Sequence, residues 1–251
     1  KICWADGPSA RMENSYQCFL RTNGIDSPRA SEAHGIPSNG FPVRSWHLDE
    51  QYHFSNWCAD NAIRFIQERN KDFPFFLMVN FIHPHQPLTP PQFYYDRYIN
   101  MDLPEPFVAD WARVFKNPVR GLKPECWRLS LDNPVMKQMR AAYYGSINHI
   151  DDQIARFIHQ RVIPHNTIIL FCSDHGEMLG DHQWLRKRNP YESSARVPFM
   201  IKFPESMGLT QKKVIDKPIE LMDIMPTLLD SIGIEIPDSV NGKSLLPIIR
   251  N

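Results

Sequence analysis

The fold prediction starts from residues 167–182, TIILFCSDHGEMLGDH, in which an apolar run changes abruptly into a polar one. The apolar part, residues 167–172, has the length and the β-branched content of a buried strand. Asp174 and His175 follow the strand, and Gly176 permits a tight turn through which both side chains can face one crevice. The stretch therefore predicts a metal site, a hydrolytic dyad or a polar turn that closes a buried strand.

Helical and strand patterns alternate along the rest of the chain. Helical spacing and capping residues predict helices over residues 53–69 (Ser55 as N-cap), 134–161 (Asp132 or Asn133 as N-cap) and from Asp223 to just before Gly233. Residues 1–44 are turn-rich with weak periodicity, and we expect loops there with one short helix over residues 15–22. Further apolar runs predict strands over residues 74–82, 196–203 and 212–219. This alternation indicates an α/β fold, in which a mostly parallel or mixed central sheet carries helices on both faces.

The domain organisation follows from the same pattern. We expect a single domain over residues 1–251, with an irregular lead-in over residues 1–45 and the α/β core over residues 46–251. Proline and aromatic residues dominate a long connection over residues 83–132. Long connections of this kind shape functional sites, so we expect this one to border the site.

The charge balance and the cysteine pattern exclude several classes of protein. Lys+Arg and Asp+Glu number 28 each, so no net charge attracts nucleic acid or an anionic membrane surface. The five cysteines include no CxxC pair, which argues against a disulfide framework or a zinc knuckle. No apolar stretch reaches the length of a membrane span, and the N-terminus lacks a signal-peptide core. We expect a small-molecule partner, neither nucleic acid nor membrane, and a cytoplasmic location.

Four polar side chains are candidates for chemistry. Asp174 and His175 combine a carboxylate with an imidazole, which is a common partial ligand set for a divalent cation. Lys187 lies thirteen residues after Asp174, and His85 lies in HPHQP directly after the predicted strand over residues 74–82. Both can donate hydrogen bonds to an anionic oxygen in a transition state. The alternative is a turn-capping aspartate, two hydrogen-bonded loop histidines and a solvated lysine.

Two further pairs of polar residues are interpreted as structural. Asp181 and His182 could form a second Asp-His pair, but turn capping accounts for them equally well. Asp151 and Asp152 lie within the predicted long helix, where we expect surface positions or hydrogen bonds between helices.

Four segments, in order, resemble the sulfatase family within the alkaline phosphatase-like superfamily. They are PFFLMVNFIHPHQPLTPP (residues 74–91), YYGSINHIDDQIARFI (143–158), SDHGEMLGDHQWLRKRNPYESSARVPFMIKFP (173–204) and IELMDIMPTLLDSIGIEIPDSVNGKSLLPII (219–249). The resemblance covers most of the chain from about Trp46 onward. It implies an alkaline phosphatase-like sandwich and metal-dependent hydrolysis of small-molecule or glycan sulfate esters.

The resemblance implies a role for each candidate residue. Asp174 and His175 match two ligands of one divalent cation, usually Ca²⁺ in sulfatases, with Mn²⁺ or Mg²⁺ as alternatives. Many members have Asn at the second position, and the His variant also occurs in phosphonate monoester and phosphodiester hydrolases, which are the alternative function. Lys187 matches the lysine that binds the sulfate or phosphate oxygens, and His85 matches the histidine near the leaving oxygen. The family's YE…RVP pattern, here Glu192 and Arg196, is interpreted as structural.

The chain departs from the family pattern at the nucleophile. Sulfatases carry a C/S-x-P-x-R segment whose Cys or Ser becomes formylglycine, and none of the five cysteines begins such a segment. In GFPVR the corresponding position is Gly40, which has no side chain to oxidise. The family's first acidic pair has no counterpart before Trp46. We expect an internal portion of a longer sulfatase, incomplete at its N-terminus and inactive alone; the alternative is a non-catalytic remnant or binding module.

Overall fold

The computed structural model describes residues 14–25, 36–37, 39–113, 126–130, 134–159, 163–209 and 213–250. The chain forms two compact units. The first consists of Lys1–Ile163 and Glu177–Ser194, and the second of Pro164–Gly176 and Ala195–Asn251. Residues 167–182 therefore contribute to both units, which change over between Gly176 and Glu177.

Four helices build the first unit. They are α1 (Ser15–Thr22), α2 (Phe54–Glu68), α3 (Gln92–Ile99) and α4 (Val135–His159). The structure confirms α1 at the predicted residues, where Asn14 and Gln17 form a capping box. It also confirms α2 and α4 to within two residues at each end. The predicted caps of α4, Asp132 and Asn133, lie outside the described residues.

The predicted N-cap of α2 is wrong. His53 is the N-cap, because its backbone is extended (φ −66°, ψ 141°) and its side chain accepts a hydrogen bond from the Ser55 N–H. The acceptor atom is His53 Nδ1, at 3.1 Å from Ser55 N. A ring nitrogen therefore caps the helix instead of a hydroxyl, and Ser55 lies inside the first turn.

Helix α3 was not predicted, since its sequence falls in the long connection over residues 83–132. It packs on α4, where the Tyr94 hydroxyl donates to Asp152 Oδ2 at 2.9 Å. Gly145 of α4 makes this close approach possible, since a Cβ there would lie 2.9 Å from the Tyr94 carbonyl oxygen. The Asp152 contact confirms the interpretation of that residue as a hydrogen-bonding group between helices.

The predicted apolar face of α4 is only partly buried. Met139 and Ile150 are buried as expected, whereas the side chain of Ile147 is 43% exposed. The buried face also includes His149 and Gln153, which hydropathy does not assign to a core. The main core of this unit combines α4 with surrounding loops and consists of Phe41, Leu88, Leu129, Met136, Met139, Ala142, Leu179 and Leu185.

The strand predicted over residues 74–82 is wrong. In the described structure this segment carries no strand assignment, and its side chains alternate between half-buried and exposed. Phe76 and Met78 are 79% and 65% exposed. A strand requires a neighbouring strand as its hydrogen-bond partner, and an apolar run alone does not supply one.

The second unit contains the sheet that the described residues form. Strands β1 (Ile169–Cys172) and β2 (Phe199–Lys202) pair antiparallel, with Ile169 opposite Lys202 and Cys172 opposite Phe199. The predicted strands over residues 167–172 and 196–203 are thus confirmed in their C-terminal parts, and an antiparallel pair is compatible with a mixed sheet. The strand predicted over residues 212–219 is wrong for the described residues 213–219, which have no strand.

Two further helices complete the second unit. They are α6 (Ile224–Ser231) and α7 (Leu246–Arg250), while the short α5 (Glu192–Ala195) lies at the junction of the units. Asp223 is the N-cap of α6, and Gly233 follows its end with φ +72°, as predicted. The core of this unit consists of Phe203, Leu245, Leu246 and Ile249.

No helix in the described part of the chain combines the length and apolar character needed to cross a membrane. The described cysteines Cys18, Cys58, Cys126 and Cys172 are free thiols. Burial raises the pKa of the Cys58 thiol to about 12, and burial together with the Asp174 carboxylate raises the pKa of Cys172. A raised pKa disfavours the thiolate, so neither Cys58 nor Cys172 is an activated nucleophile.

Candidate active site

Two candidate residues from distant parts of the sequence meet in the first unit. Lys187 Nζ lies 2.8 Å from His85 Nε2, although 102 positions separate the residues. His85 Nδ1 lies 2.7 Å from the Gln86 carbonyl oxygen, which can only accept, so Nδ1 carries the ring proton. In the neutral imidazole, Nε2 is then the acceptor, and Lys187 donates to it. The predicted catalytic pair is therefore hydrogen-bonded.

The loop that carries Lys187 adopts an unusual backbone. Among the described residues, the four non-glycine positions with positive φ all lie here: Leu179, His182, Gln183 and Arg186. The value at Arg186, directly before Lys187, is +69°. Conformations of this kind cost energy and are maintained by surrounding contacts, and they cluster at functional sites. The backbone conformation alone therefore distinguishes this loop from the rest of the described residues, before any side-chain contact is considered.

Trp127 holds the same loop from one side. The Arg186 and Arg188 guanidinium carbons lie 4.3 and 4.2 Å from the centroid of the Trp127 ring. The Leu185 N–H also donates to the Trp127 carbonyl oxygen at 2.9 Å. Cation–π contacts on both neighbours of Lys187 restrict the backbone from which its side chain extends.

Three buried histidines lie behind the His85 loop. The ring centroids of His53 and His83 are 4.6 Å apart, as are those of His53 and His149. His149 Nε2 lies 2.7 Å from Asn56 Oδ1, and His83 Nε2 lies 3.4 Å from Thr89 Oγ1. This histidine cluster (His53, His83 and His149) connects α2, the loop before His85 and α4.

Burial keeps the histidine cluster neutral. Desolvation, reinforced by His85, lowers the pKa of His83 to about 4. Desolvation, followed by the effects of His83 and Arg156, lowers the pKa of His149 to about 3. The pKa of His53 also lies well below its usual value, chiefly because of burial. The cluster therefore carries no charge near neutral pH.

The other two candidates lie in the second unit, directly after β1. The side chain of Asp174 is 87% exposed, and its Oδ2 lies 3.7 Å from His175 Nε2. His175 Nδ1 lies 2.8 Å from the Gly176 carbonyl oxygen, so Nδ1 carries the proton and Nε2 has the lone pair. A carboxylate oxygen and an imidazole lone pair thus lie side by side at the end of the strand.

Comparison with known proteins identifies the family. The model of the sulfatase family matches residues 7–234 of this chain. The chain belongs to the sulfatase family. It is 47% identical over 220 residues to an arylsulfatase of Clostridium perfringens (strain 13 / Type A), a match that covers 86% of this sulfatase chain and 46% of that protein. The chain spans about half the length of the curated relatives that it matches.

Solved structures confirm the predicted fold class of this sulfatase. The crystal structure of the phosphonate monoester hydrolase of Agrobacterium radiobacter superposes with a TM-score of 0.75 at 24% identity, covering 96% of this chain and 51% of that one. The phosphonate monoester hydrolase SpPMH from Silicibacter pomeroyi gives 0.73 at 26% identity, with coverages of 94% and 49%. The sulfatase chain therefore has the α/β fold of the alkaline phosphatase-like superfamily.

Sulfatases generally use a divalent metal ion, and Asp174 and His175 are the two residues predicted to bind it. In metal sites, a histidine ligand usually donates its second ring N–H to a carbonyl or carboxylate oxygen, as His175 does to Gly176. Its Nε2 and Asp174 Oδ2 are then the candidate donor atoms. Within the described ranges, no group of three or more His, Cys, Asp and Glu side chains is placed to hold a metal ion. That Asp174 and His175 bind a metal ion therefore stays a prediction.

The structure shows a structural role for Asp181 and His182 of this sulfatase. Asp181 Oδ1 accepts from the Phe107 N–H at 2.9 Å, and His182 Nδ1 lies 3.4 Å from the Ala109 nitrogen. The buried His182 ring also stacks on Trp111, with centroids 4.9 Å apart. These contacts fasten the loop over residues 107–111, in agreement with the interpretation from the sequence.

Sequence reasoning missed the residues that support the pair. Glu177, Gln86, Trp127 and the histidine cluster received no functional role from the sequence. Glu177 lies within residues 167–182, but the sequence around a single glutamate does not indicate which residues its side chain contacts. The catalytic roles of His85 and Lys187 and the ligand roles of Asp174 and His175 stay predictions.

Proposed function

We propose that this sulfatase chain carries part of the machinery for hydrolysing sulfate esters to an alcohol and sulfate. The observation that carries the proposal is the 2.8 Å contact between Lys187 Nζ and His85 Nε2. These are the two positions that the family resemblance assigns to the sulfate oxygens and to the leaving oxygen. Their contact supports a shared role in charge stabilisation and proton transfer.

Lys187 is proposed to bind a non-bridging oxygen of the ester. An ammonium group has three N–H donors, so a hydrogen bond to His85 is compatible with donation to a sulfate oxygen. As the S–O bond to the alcohol breaks, negative charge develops on the leaving oxygen of the ester. A fixed ammonium donor stabilises that charge without reorganising at the moment of reaction.

His85 is proposed to manage the proton that the leaving alkoxide requires. Its Nε2 accepts from the Lys187 ammonium, and its Nδ1 is held by the Gln86 carbonyl oxygen. His85 Nε2 takes up a proton from solvent to form an imidazolium and passes that proton to the leaving oxygen, while Lys187 keeps its ammonium charge. Neutral His85 then accepts again from Lys187.

We further propose Ca²⁺ as the cation at Asp174 and His175, with Mn²⁺ or Mg²⁺ as alternatives. Carboxylate oxygens are the ligands that hard cations prefer, and the exposed Asp174 side chain leaves room for a large ion. A divalent cation there would supply positive charge to an anionic oxygen bound to it. Asp174 and His175 would hold it through Oδ2 and Nε2.

Replacement of His175 by alanine is expected to weaken cation binding at least roughly tenfold. Loss of a residue that only supports a metal ligand already costs about this much, and His175→Ala would remove a ligand nitrogen itself. Isothermal titration calorimetry of the full-length protein with CaCl₂, MnCl₂ and MgCl₂ measures the effect. His159→Ala removes an exposed imidazole at the end of α4 and is the matched control. Equal affinities in wild type and His175→Ala would remove His175 from the ligand set.

The proposed substrate class is an aryl sulfate ester, supported by the arylsulfatase at 47% identity. The alternative is a phosphonate monoester, supported by His175 and by the fold neighbour at 26% identity. We expect the full-length protein to have a higher kcat/KM for 4-nitrophenyl sulfate than for 4-nitrophenyl phenylphosphonate.

The leaving group is the same in both assays, so the ratio of the two kcat/KM values reports the transferred group alone. A higher value for the phosphonate would replace the sulfate assignment with the alternative. Absence of turnover with both esters in metal-loaded protein would favour a non-catalytic binding module.

A further inference from the structure

The Glu177 carboxylate bridges the two loops that carry His85 and Lys187. Its Oε2 accepts a hydrogen bond from Gln86 Nε2 at 3.1 Å. Its Oε1 accepts from the backbone N–H of Arg186, and from that of Leu179 at 3.3 Å. One side chain therefore contacts the residue that follows His85 and the residue that precedes Lys187.

These contacts close a ring around the catalytic pair. From Glu177, one path runs through Gln86 to the adjacent His85, and the other runs through Arg186 to the adjacent Lys187. The paths meet in the 2.8 Å contact between Lys187 Nζ and His85 Nε2. A closed ring of short contacts leaves few degrees of freedom for the distance between those two atoms.

The chemistry of the bridge requires an acceptor on both sides. An ionised carboxylate has two oxygens that only accept, and all three partners here, the Gln86 amide NH₂ and the backbone N–H groups of Arg186 and Leu179, donate. Gln86 is buried, with 3% exposure, and its Oε1 has no hydrogen-bond partner among the described residues. The hydrogen bond to Glu177 therefore orients the side chain of Gln86. The backbone carbonyl of the same residue accepts from His85 Nδ1.

We propose that Glu177 is a positioning residue that sets the distance and orientation of His85 relative to Lys187. It touches neither the ester nor the cation in this role. The proposal rests on the proposed function for its effect on turnover, but its effect on the His85–Lys187 contact is independent of that function. A displacement of about 1 Å between catalytic groups can lower a rate on the order of 100-fold.

The test compares the full-length wild type with Glu177→Ala. ¹⁵N NMR of the His85 ring reports directly whether Nε2 accepts a hydrogen bond, and 4-nitrophenyl sulfate turnover reports kcat and KM. In Glu177→Ala we expect the Nε2 signal to move to that of an imidazole nitrogen without a donor. We expect kcat to fall on the order of 100-fold with a smaller change in KM.

A matched control separates positioning from general loop stability. Asp181 lies in the same loop, and its carboxylate also accepts a backbone N–H, that of Phe107 at 2.9 Å. Asp181→Ala removes this acceptor and is expected to leave the His85 signal unchanged. An unchanged His85 signal in Glu177→Ala would overturn the proposal, and so would the same signal change in both variants.

Exchanging the two partners gives a rescue that does not depend on the stability of Glu177→Ala. Gln86→Glu places two carboxylates against each other and is expected to lose the His85–Lys187 signal. Adding Glu177→Gln restores a donor opposite an acceptor, while the new amide oxygen can still accept from Arg186 N–H. Recovery of the signal in the double variant is expected, and failure to recover it counts against the bridge. Wild type without turnover would contradict the proposed function alone, since the NMR comparison still decides the bridge.

Discussion

Replacing Lys187 by alanine is expected to lower kcat for an aryl sulfate roughly 100- to 1,000-fold, with little change in stability. The ammonium group is the donor that His85 Nε2 accepts from, so its loss removes charge stabilisation and the hydrogen bond that orients His85. Lys187 is only partly buried and lies outside the hydrophobic core. Steady-state kinetics and thermal unfolding of the full-length protein measure the two effects separately.

Arg188→Ala is the matched control for Lys187→Ala. It removes a neighbouring cation that contacts the Trp127 ring and is exposed, so it tests for a general effect of positive charge in this loop. We expect a much smaller loss of kcat. A fall in the melting temperature of Lys187→Ala that accounts for its lost turnover would contradict a catalytic role.

Acidification from pH 6.5 to about 3 is expected to destabilise the protein by several kcal/mol through the histidine cluster. An unfolded histidine takes up its proton near pH 6.5, whereas folded His83 and His149 do so only at pKa values of about 4 and about 3. Between these values the unfolded state binds more protons, so stability is complete above pH 6.5 and falls as the pH falls. The shift at His83 alone corresponds to about 3 kcal/mol.

Urea unfolding followed by circular dichroism at pH 8, 6.5, 5 and 4 measures this dependence. His149→Gln retains an amide that can donate to Asn56 but cannot titrate, and it is expected to flatten the decline in the free energy of unfolding. His159→Gln, at an exposed position, is expected to leave the decline unchanged. A free energy of unfolding that is the same at pH 8 and pH 4 would rule out neutral burial of the cluster.

Local signals account for the elements that were predicted correctly. Helices α1, α2 and α4 have apolar spacing and capping residues within a few positions, and Gly233 ends α6 with the positive φ expected of it. Strand β1 lies within its predicted run. The strand predicted over residues 74–82 is wrong because hydropathy reports apolar content, whereas a strand depends on a partner elsewhere in the chain.

Buried polar groups set the limit of the pattern analysis. His149 and Gln153 occupy the buried face of α4, and His53 replaces Ser55 as the cap of α2. His149 contacts Asn56 of α2, Gln153 accepts from Arg156 one turn further on, and His53 caps α2 through a ring nitrogen that propensities do not weigh. An apolar period predicts where a helix buries carbon, but not where a buried histidine finds its acceptor.

By itself the sequence determined the family, the α/β class, the main helices and the four candidate residues, because these depend on the order and local spacing of residue types. Only the tertiary structure decided that His85 and Lys187 lie 2.8 Å apart and that Glu177 bridges their loops. These contacts join positions 102 and 91 residues apart, and hydrogen bonds across such separations leave no periodicity in the sequence. The chain must fold before one carboxylate can bring two loops together.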